Sequence, residues 1–506
     1  MAPLWQRAYL DAAAVVALLL VWRAMRGMNL QGGGPSAVTG DPALYILPAI
    51  LLVAAGLVAV RLLGWLLRWL DRALGPTLGF VAALPLRRIG RMPGQFAPMV
   101  LLLCLTAGLG TYSAAAARTL DSNLAAAVRY RVGAPVRLEQ ISPCSVALTP
   151  APVCGTYGLG GPPPRALPPF SLNLGVPGVT AATQLVEMPL SLPIPGHTDH
   201  ATLVLVDTAT FAHAAWWDPH LDPLPEAHYL QLLASAPDAV LVSPSLPGSI
   251  PGGGTIAAQL ADGPLAHLQA VGTIARWPGA DAAGPMVIAP LAAGAALLGL
   301  TCAPPPPSPP GAPGAPCAGQ RVVLMDLAPG ATAAGVEAAL TPLGLSAGRT
   351  DVAATEVADA LATPEWAGQT GMLTIGFLIA LAITAVGYLL YASVLLRGQV
   401  GQIGLLRALG LDWPTLIGGV ALEQGILMGA GAIAGILAGL AAGTLFLPLF
   451  QPAFTGPDAP PFLVIGPGGA LWQVAAVLGV LFAATVTLLL ALLRRLHIGE
   501  TVKLEG

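Results

Sequence analysis

The chain has 506 residues, of which 55% are hydrophobic and 9% are charged, with a formal net charge of −3. Soluble domains carry about 25% charged residues, so this composition and a mean hydropathy of +0.74 exclude an ordinary soluble protein and indicate several membrane spans. No basic patch of the kind that binds nucleic acid is present. Lys503 is the only lysine. A Walker A loop needs Gly-Lys-Ser/Thr, so the chain cannot hold that kind of ATP site.

Three apolar stretches precede the long hydrophilic region. Residues 10–21 are short but, with aromatic residues nearby, can just cross a bilayer, which needs about 20 residues. A cleaved signal peptide is the alternative, and Asp11 and the lack of an Ala-x-Ala cleavage site argue against it. Residues 43–67 and 97–117 are predicted as the second and third spans. Between them, residues 84–92 are predicted as a basic helix on the membrane surface.

A hydrophilic region occupies residues 119–369, and further spans are predicted at 370–396, 414–446 and 469–493. Placing the N-terminus, the second and fourth loops and the C-terminus in the cytoplasm gives that side eleven Lys and Arg, against two in the short loops opposite. Cytoplasmic loops carry the excess of these residues. The sequence therefore predicts a polytopic α-helical membrane protein with six transmembrane helices and a large mixed α/β extracytoplasmic domain inserted between helices 3 and 4.

The inserted region alternates strand-like and helix-like patterns. Val/Leu/Ile-rich segments predict strands at 135–139, 201–207, 239–243, 270–277, 286–289 and 321–327. Helical patterns predict helices at 208–217, 226–234, 290–298 and 331–343. The two ends, 119–130 and 351–368, are predicted to rise from the membrane as helical stalks.

Four of the five cysteines lie in this region, at Cys144, Cys154, Cys302 and Cys317. Thiols on the oxidising side of a membrane favour disulfides. Four cysteines allow three connectivities, of which pairing of sequence neighbours is preferred here, with free thiols as the alternative.

No catalytic, cofactor or metal site is predicted. His197 and His200 could supply two metal ligands, but they lack the helical His-x-x-x-His spacing and a companion Glu base. The Gly-x-Ser-x-Gly motif of a nucleophile elbow is absent. The chain is therefore predicted not to be an enzyme.

The segment at residues 397–413, between the fourth and fifth spans, carries the most informative motif. A short polar turn leads into Gln402, Ile403, Gly404, Leu405, Leu406, Arg407, Ala408, Leu409 and Gly410. At 100° per residue the large apolar side chains fall on one broad side, and Gly404 and Ala408 form a small-residue seam on the other. The pattern predicts a short amphipathic helix beside the membrane, stopped by Gly410 and Pro414.

Two features mark the fifth span. Glycines recur every fourth residue, at Gly431, Gly435, Gly439 and Gly443, which is a stripe that lets another helix approach closely. Glu423 is the only ionisable residue of this span, and such a group is costly unless it faces protein or water. We interpret it as a contact that links motion of the 397–413 segment to the bundle; a satisfied helix–helix hydrogen bond is the alternative.

Residues 402–410 resemble the coupling-helix signature E-I-G-L-L-R-A-L-G of FtsX/MacB-type ABC transporter permeases, with Gln402 in place of the usual Glu. The Y-R-V-G-A-P-V-R-L run at 130–138 resembles the family's entry into its extracytoplasmic domain, with Pro135 in place of Asp. Pro177-Gly178-Val179 resembles another family landmark at the start of a strand. Glu423 matches a Glu common at this point of the family.

The resemblance implies four parts of the chain. These are two extra helices with a basic juxtamembrane segment (1–96), the first helix of a permease module (97–118), the extracytoplasmic domain (119–369) and a three-helix permease domain (370–506) containing the coupling helix (397–413). The extra helices resemble the pair that joins the two modules of larger members with roughly ten helices. The chain thus resembles the C-terminal half of such a protein.

The implied function is that of a multi-pass permease in the bacterial cytoplasmic membrane. A cytoplasmic ABC ATPase dimer, holding ATP and Mg²⁺, would move the coupling helix, and a second permease module or second copy would complete the pair. The external domain would meet an accessory protein or a lipoprotein, lipid or peptide substrate. Regulation of a cell-wall hydrolase is the alternative within the family, and a receptor or adhesion protein without an ATPase is the alternative outside it.

Overall fold

A computed structural model of the chain describes residues 16, 19, 23, 42–74, 80–140, 170–194, 197–218, 224–244, 246, 254–259, 265–280, 284–291, 320–340, 347–408, 410–450 and 463–495. The chain divides into two compact units. We call Met1–Ser122, Pro364–Pro457 and Leu463–Gly506 the membrane unit. We call Asn123–Thr363 with Asp458–Phe462 the sheet unit.

The described helices, in chain order, are α1 Pro42–Leu74, α2 Phe80–Arg91, α3 Pro93–Val132, α4 Ser171–Leu174, α5 Phe211–Ala214, α6 Glu226–Ala234, α7 Ala333–Leu340, α8 Ala353–Ala362, α9 Pro364–Ala408, α10 Trp413–Phe446 and α11 Ala470–Arg495. Of these, α1, α3, α9, α10 and α11 are long and apolar enough to cross a membrane. They carry the predicted second to sixth spans. The predicted first span, at 10–21, lies almost entirely outside the described residues.

The core of the membrane unit is built from large apolar side chains of five helices. Its members include Leu63 of α1, Ile89 of α2, Met99 of α3, Tyr388 of α9 and Leu427 of α10. Helix α3 is the central one, because 72% of its most apolar stretch is buried, against 11% for α9. Because Ile89 belongs to this core, the amphipathic helix α2 is part of the helix bundle.

Helix α9 corrects one prediction. A polar turn was predicted at residue 397, but the backbone continues as one helix of 45 residues from Pro364 to Ala408. Glycine in a helix interior costs only about 1 kcal/mol relative to alanine, so Gly398 and Gly401 do not end it. The break comes at Gly410, whose φ of +92° lies in the left-handed region that favours glycine.

The sheet unit contains a nine-stranded sheet in the order β5-β6-β4-β7-β3-β2-β8-β1-β9. Its strands are β1 Val136–Gln140, β2 Val179–Ile194, β3 His197–Val206, β4 Ala239–Val242, β5 Gly254–Ala258, β6 Ala266–Thr273, β7 Met286–Pro290, β8 Gln320–Leu327 and β9 Ala347–Val352. Two neighbouring pairs, β3 with β7 and β4 with β6, are parallel, and the others are antiparallel. A bridge between Ser191 and Gln259 also joins β2 to the residue after β5.

Both faces of the sheet are covered, so its strands alternate between two cores. Along β2, Val186, Met188 and Leu190 enter one core and Leu185 enters the other. This is the two-residue period of a strand. All four side chains of β4 are buried, as expected of a central strand.

Several element predictions for the sheet unit need correction. Strands β5 and β9 were not predicted, and β2 was indicated only by the family landmark at 177–179, where it begins. The strand expected at 270–277 lies at Ala266–Thr273. The helix expected at 208–217 is only the single turn of α5. The stalk expected at 351–368 begins as the end of β9 and is divided between α8 and α9. Most of the helix predicted at 290–298 lies outside the described residues.

Candidate functional site

The predicted coupling segment forms a helix–turn–helix in the backbone. Gln402 to Ala408 are the last turns of α9, Gly410 makes the turn, and Asp412 caps α10, whose Leu416 N–H donates to the Asp412 carbonyl oxygen at 3.2 Å. Pro414 occupies the first turn of α10, where its missing N–H costs nothing. The side chains of Gln402 to Ala408, and Leu409 as a whole, lie outside the described residues.

Glu423 lies near the start of α10 and contacts a cation on α2. Its Oε2 is 3.6 Å from Arg88 Nη1, and its side chain is 7% exposed against 26% for Arg88. Its Oε1 is buried without a hydrogen-bond partner among the described residues. The carboxylate is thus held by one charge partner that approaches from α2.

More polar contacts join the membrane helices around this pair. The Tyr388 hydroxyl of α9 donates to Gln424 Oε1 of α10 at 2.5 Å. The hydroxyls of Thr106 and Thr384 bond α3 to α9. Since buried polar groups in a membrane specify helix neighbours, α9 and α10 are fixed to each other one residue after Glu423.

The glycine stripe of α10 lies against α3. A Cβ added at Gly435 would come within 2.4 Å of the Cys104 carbonyl oxygen, and one at Gly439 within 2.5 Å of the Gly108 carbonyl oxygen. A Cβ added at Gly431 would come within 2.7 Å of Leu103 Cβ, whereas Gly443 has only ordinary contact distances. Three of the four glycines therefore permit a backbone approach that no other residue allows.

At the other end of α9, side chains of α3 tie the membrane unit together. Trp366 Nε1 donates to Asp121 Oδ1 at 2.8 Å. The Thr119 hydroxyl donates to the Ile465 carbonyl oxygen at 3.0 Å and accepts from its N–H at 3.1 Å. Helix α3 thus holds both the start of α9 and the segment that precedes α11.

In the sheet unit, a buried arginine joins the strands at which the chain enters and leaves. Arg137 of β1 contacts Asp351 of β9 at 3.3 Å, Glu139 at 2.5 Å and Glu187 of β2 at 3.8 Å. Arg349 also bonds Asp351, at 2.8 Å. A buried charge needs such partners, so this cluster fixes the position of β9 beside β1.

The Y-R-V-G motif has a clear structural role. Gly133 ends α3 with a φ of +79°, and a Cβ there would come 2.4 Å from Gly279 Cα. The Tyr130 carbonyl oxygen accepts from Gly279 N–H at 2.9 Å, and the Gly133 carbonyl oxygen accepts from Trp216 N–H at 2.6 Å. The motif therefore packs the helix end directly against two loops of the sheet unit.

An aromatic cluster surrounds this junction. Trp217 lies 5.8 Å from Trp277 and 5.6 Å from Tyr229 between ring centroids. Burial raises the pKa of the nearby Glu226 carboxyl above its ordinary value, and His213 opposes part of that rise. The aromatic residues belong to one of the apolar cores of the sheet unit.

The other predicted site residues are less informative. Cys144, Cys154, Cys302 and Cys317 lie outside the described residues. Among the residues that the structure describes, no three His, Cys, Asp or Glu side chains are placed to hold a metal ion.

Two contacts were not predicted: Arg88 with Glu423, and Arg137 with its three carboxylates. Glu423 was expected to face protein or water, but no cation was named as its partner.

Comparison with known proteins found similar solved structures, including the two that follow. No family model matches the sequence and no curated protein matches it. The extracellular domain of the noncanonic ABC-type transporter YknZ from Gram-positive bacteria is 10% identical, with a TM-score of 0.21 over 36% of this chain and 85% of that domain. A domain of a protein described as a permease, from Porphyromonas gingivalis, is 12% identical, with a TM-score of 0.22 over 42% of this chain and 81% of that one.

The first of these structures belongs to an ABC-type transporter and the second to a protein described as a permease.

Proposed function

We propose that this chain is the membrane permease subunit of an FtsX/MacB-type ABC transporter. A separate ATPase acts on residues 397–413, and the membrane helices pass the motion to the sheet unit. The observation that carries the proposal is the helix–turn–helix at the Q-I-G-L-L-R-A-L-G motif, placed directly between two membrane-length helices.

The length of α9 suits such a lever. At 1.5 Å per residue, its 45 residues extend about 67 Å, whereas the hydrocarbon core of a bilayer is about 30 Å thick. The apolar run of this helix ends before Arg397, so the last turns of α9 extend beyond it. A rigid helix that continues from the membrane into the motif can transmit a push without a hinge.

The proposed partners follow from this assignment. The ATPase is a cytoplasmic dimer that holds ATP and Mg²⁺, so a second permease module or a second copy of this chain is needed to match it. The chain lies in the bacterial cytoplasmic membrane with residues 119–369 outside the cytoplasm. The proposed cargo is a lipoprotein, lipid or peptide that is exported or extracted at the sheet unit.

A binding experiment tests the coupling role. The full chain is co-expressed with the ABC ATPase encoded nearest to it, and the complex is purified in detergent. Leu405→Asp/Leu406→Asp should abolish co-purification and the stimulation of ATP hydrolysis. Leu405→Ala/Leu406→Ala, which keeps the helix apolar, should retain at least part of both.

Two results would contradict the proposal. One is retained ATPase binding by the aspartate variant when size-exclusion chromatography shows it to be folded. The other is labelling of a cysteine introduced at Gln399 from the same side of the membrane as one introduced at His200. Capture of a cell-wall hydrolase without a transported substrate would favour the regulatory alternative.

A further inference from the structure

The end of α1 and the adjoining α2 carry an exposed basic surface that no part of the proposed function uses. We call it the arginine rim, and it consists of Arg68 and Arg72 of α1 and Arg87 and Arg91 of α2. All four side chains are exposed. We propose that the arginine rim binds the headgroup of an anionic phospholipid.

Two contacts place Arg68 and Arg87 where α1 packs against α2, and Arg72 and Arg91 each lie four residues further along the same helix. Arg87 Nε donates to Asp71 Oδ1 at 2.9 Å, which joins α2 to α1. The stem of Arg68 lies against α2, because a Cβ added at Gly90 would be 3.3 Å from its Cγ. The rim thus presents four guanidinium groups against the single carboxylate of Asp71, and guanidinium groups bind phosphate oxygens in a bidentate manner.

Two tryptophans on the face of α1 that carries Arg68 and Arg72 place the rim at the level of lipid headgroups. Trp65, Arg68, Trp69 and Arg72 follow the spacing i, i+3, i+4, i+7, which is one face of a helix. The two indole side chains are 62% and 54% exposed. Tryptophan is enriched where membrane meets water, and α1 is long and apolar enough to span the bilayer. A lipid headgroup is therefore the anion that meets this surface.

The opposite side of α2 holds this helix in the bundle through other residues. Arg88, one residue from Arg87, contacts Glu423, and Leu86 and Ile89 are buried in the bundle core. Within the described part of the chain, only Arg87 of the rim arginines pairs with a neighbouring helix, through Asp71, so Arg72 and Arg91 can be substituted in a binding test without removing a contact that holds α2.

The test is lipid retention by the full chain. The protein is purified in a neutral maltoside detergent and titrated with palmitoyl-oleoyl phosphatidylglycerol or phosphatidylcholine, and bound lipid is counted by native mass spectrometry. Each basic residue near an anionic lipid contributes about fivefold in affinity. Four arginines less the one carboxylate of Asp71 leave three net charges, so wild type should prefer phosphatidylglycerol on the order of 100-fold. Arg72→Gln/Arg91→Gln should lower that affinity about 25-fold, equivalent to about 2 kcal/mol at 1.4 kcal/mol per tenfold change.

Three controls make the result decisive. Arg129→Gln/Arg131→Gln removes two exposed arginines of the sheet unit and should leave phosphatidylglycerol retention unchanged, while Arg72→Lys/Arg91→Lys should keep most of it. Inorganic phosphate at millimolar concentration should not displace the lipid.

The proposal would be overturned if wild type retained both lipids equally or if the two glutamine variants lost phosphatidylglycerol equally. It would also be overturned if inorganic phosphate displaced the lipid. So would an acidic partner protein that binds the rim in place of the lipid.

Discussion

The ion pair between Arg88 and Glu423 gives an asymmetric prediction. At 3.6 Å and an effective dielectric constant near 20, the attraction between the two charges is about 5 kcal/mol. The cost of removing the charges from water opposes it. What a substitution costs therefore depends on which partner remains and on how well water reaches it.

Arg88→Gln leaves the carboxylate of Glu423, with its 7% exposed side chain, unpaired in the bundle. Breaking a buried pair in this way costs about 3 to 5 kcal/mol. Glu423→Gln leaves Arg88, which is 26% exposed and can extend its long side chain toward water. We expect that variant to cost only about 1 kcal/mol, and the double variant to cost clearly less than Arg88→Gln alone.

Reversible unfolding of the full chain by SDS in mixed micelles measures these differences. Arg87→Gln is the matched control, because its pair with Asp71 is 52% exposed on the arginine side and surface pairs contribute at most about 1 kcal/mol. Equal costs for the Arg88 and Glu423 variants, or a double variant equal to the sum of the singles, would refute the reasoning.

Three further predictions concern single residues. Gly435→Ala should destabilise the full chain by about 1 to 3 kcal/mol in the same unfolding assay because of the backbone clash with α3. Gly429→Ala is the control and should not destabilise it, because no atom lies within 4 Å of the added Cβ. Equal effects of the two substitutions would contradict this packing. Gly133→Ala should lower the melting temperature more than Gly330→Ala. Both glycines have a positive φ, but only a Cβ at Gly133 would clash with the backbone of another residue, Gly279. The reverse order would contradict the role of the Gly279 contact. Because burial raises the pKa of Glu226, the folded protein binds its proton more tightly, so this group destabilises the fold as pH rises above the ordinary glutamate pKa. Glu226→Gln should then raise the melting temperature at pH 7 more than at pH 4, and a gain independent of pH would argue against it.

The membrane helices were predictable because their signal is local. A long apolar run predicts a span wherever it occurs, and the predicted fifth span at 414–446 differs from α10 by one residue. The continuity of α9 was not predictable from the polar residues near 397, because helix ends depend on left-handed glycines and prolines more than on polarity. Gly410 supplied that signal, and the structure places the turn there.

The Val/Leu/Ile pattern predicted neither β2 nor β9, although the family landmark at 177–179 marks the start of β2. Strand β2 contains Pro189 and Pro193, which normally argue against a strand. Both lie beyond Glu187, where pairing with β8 ends, so that ladder does not need their N–H groups. Strand β9 contains charged residues that lower its strand pattern, and Asp351 among them is buried only because Arg137 lies opposite. Such compensation between residues more than 200 positions apart is invisible in a local pattern.

The candidate site was predictable in kind but not in its partners. Glu423 signalled a buried charge, but Arg88 on α2 was read only as part of a basic surface helix. The glycine period predicted a close helix approach, and only the structure identifies α3 as the neighbour. Partner identity depends on tertiary packing, which one sequence does not specify by periodicity.

The position of β1 beside β9 has a consequence for how this architecture can vary. Val136 and Val352 are register partners, and the Ala353 N–H donates to the Pro135 carbonyl oxygen at 3.0 Å. The two ends of the large region between β1 and β9 therefore lie about 5 Å apart. An inserted region with adjoining ends can be exchanged for another domain, or shortened to a simple loop, while the helices on either side keep their spacing.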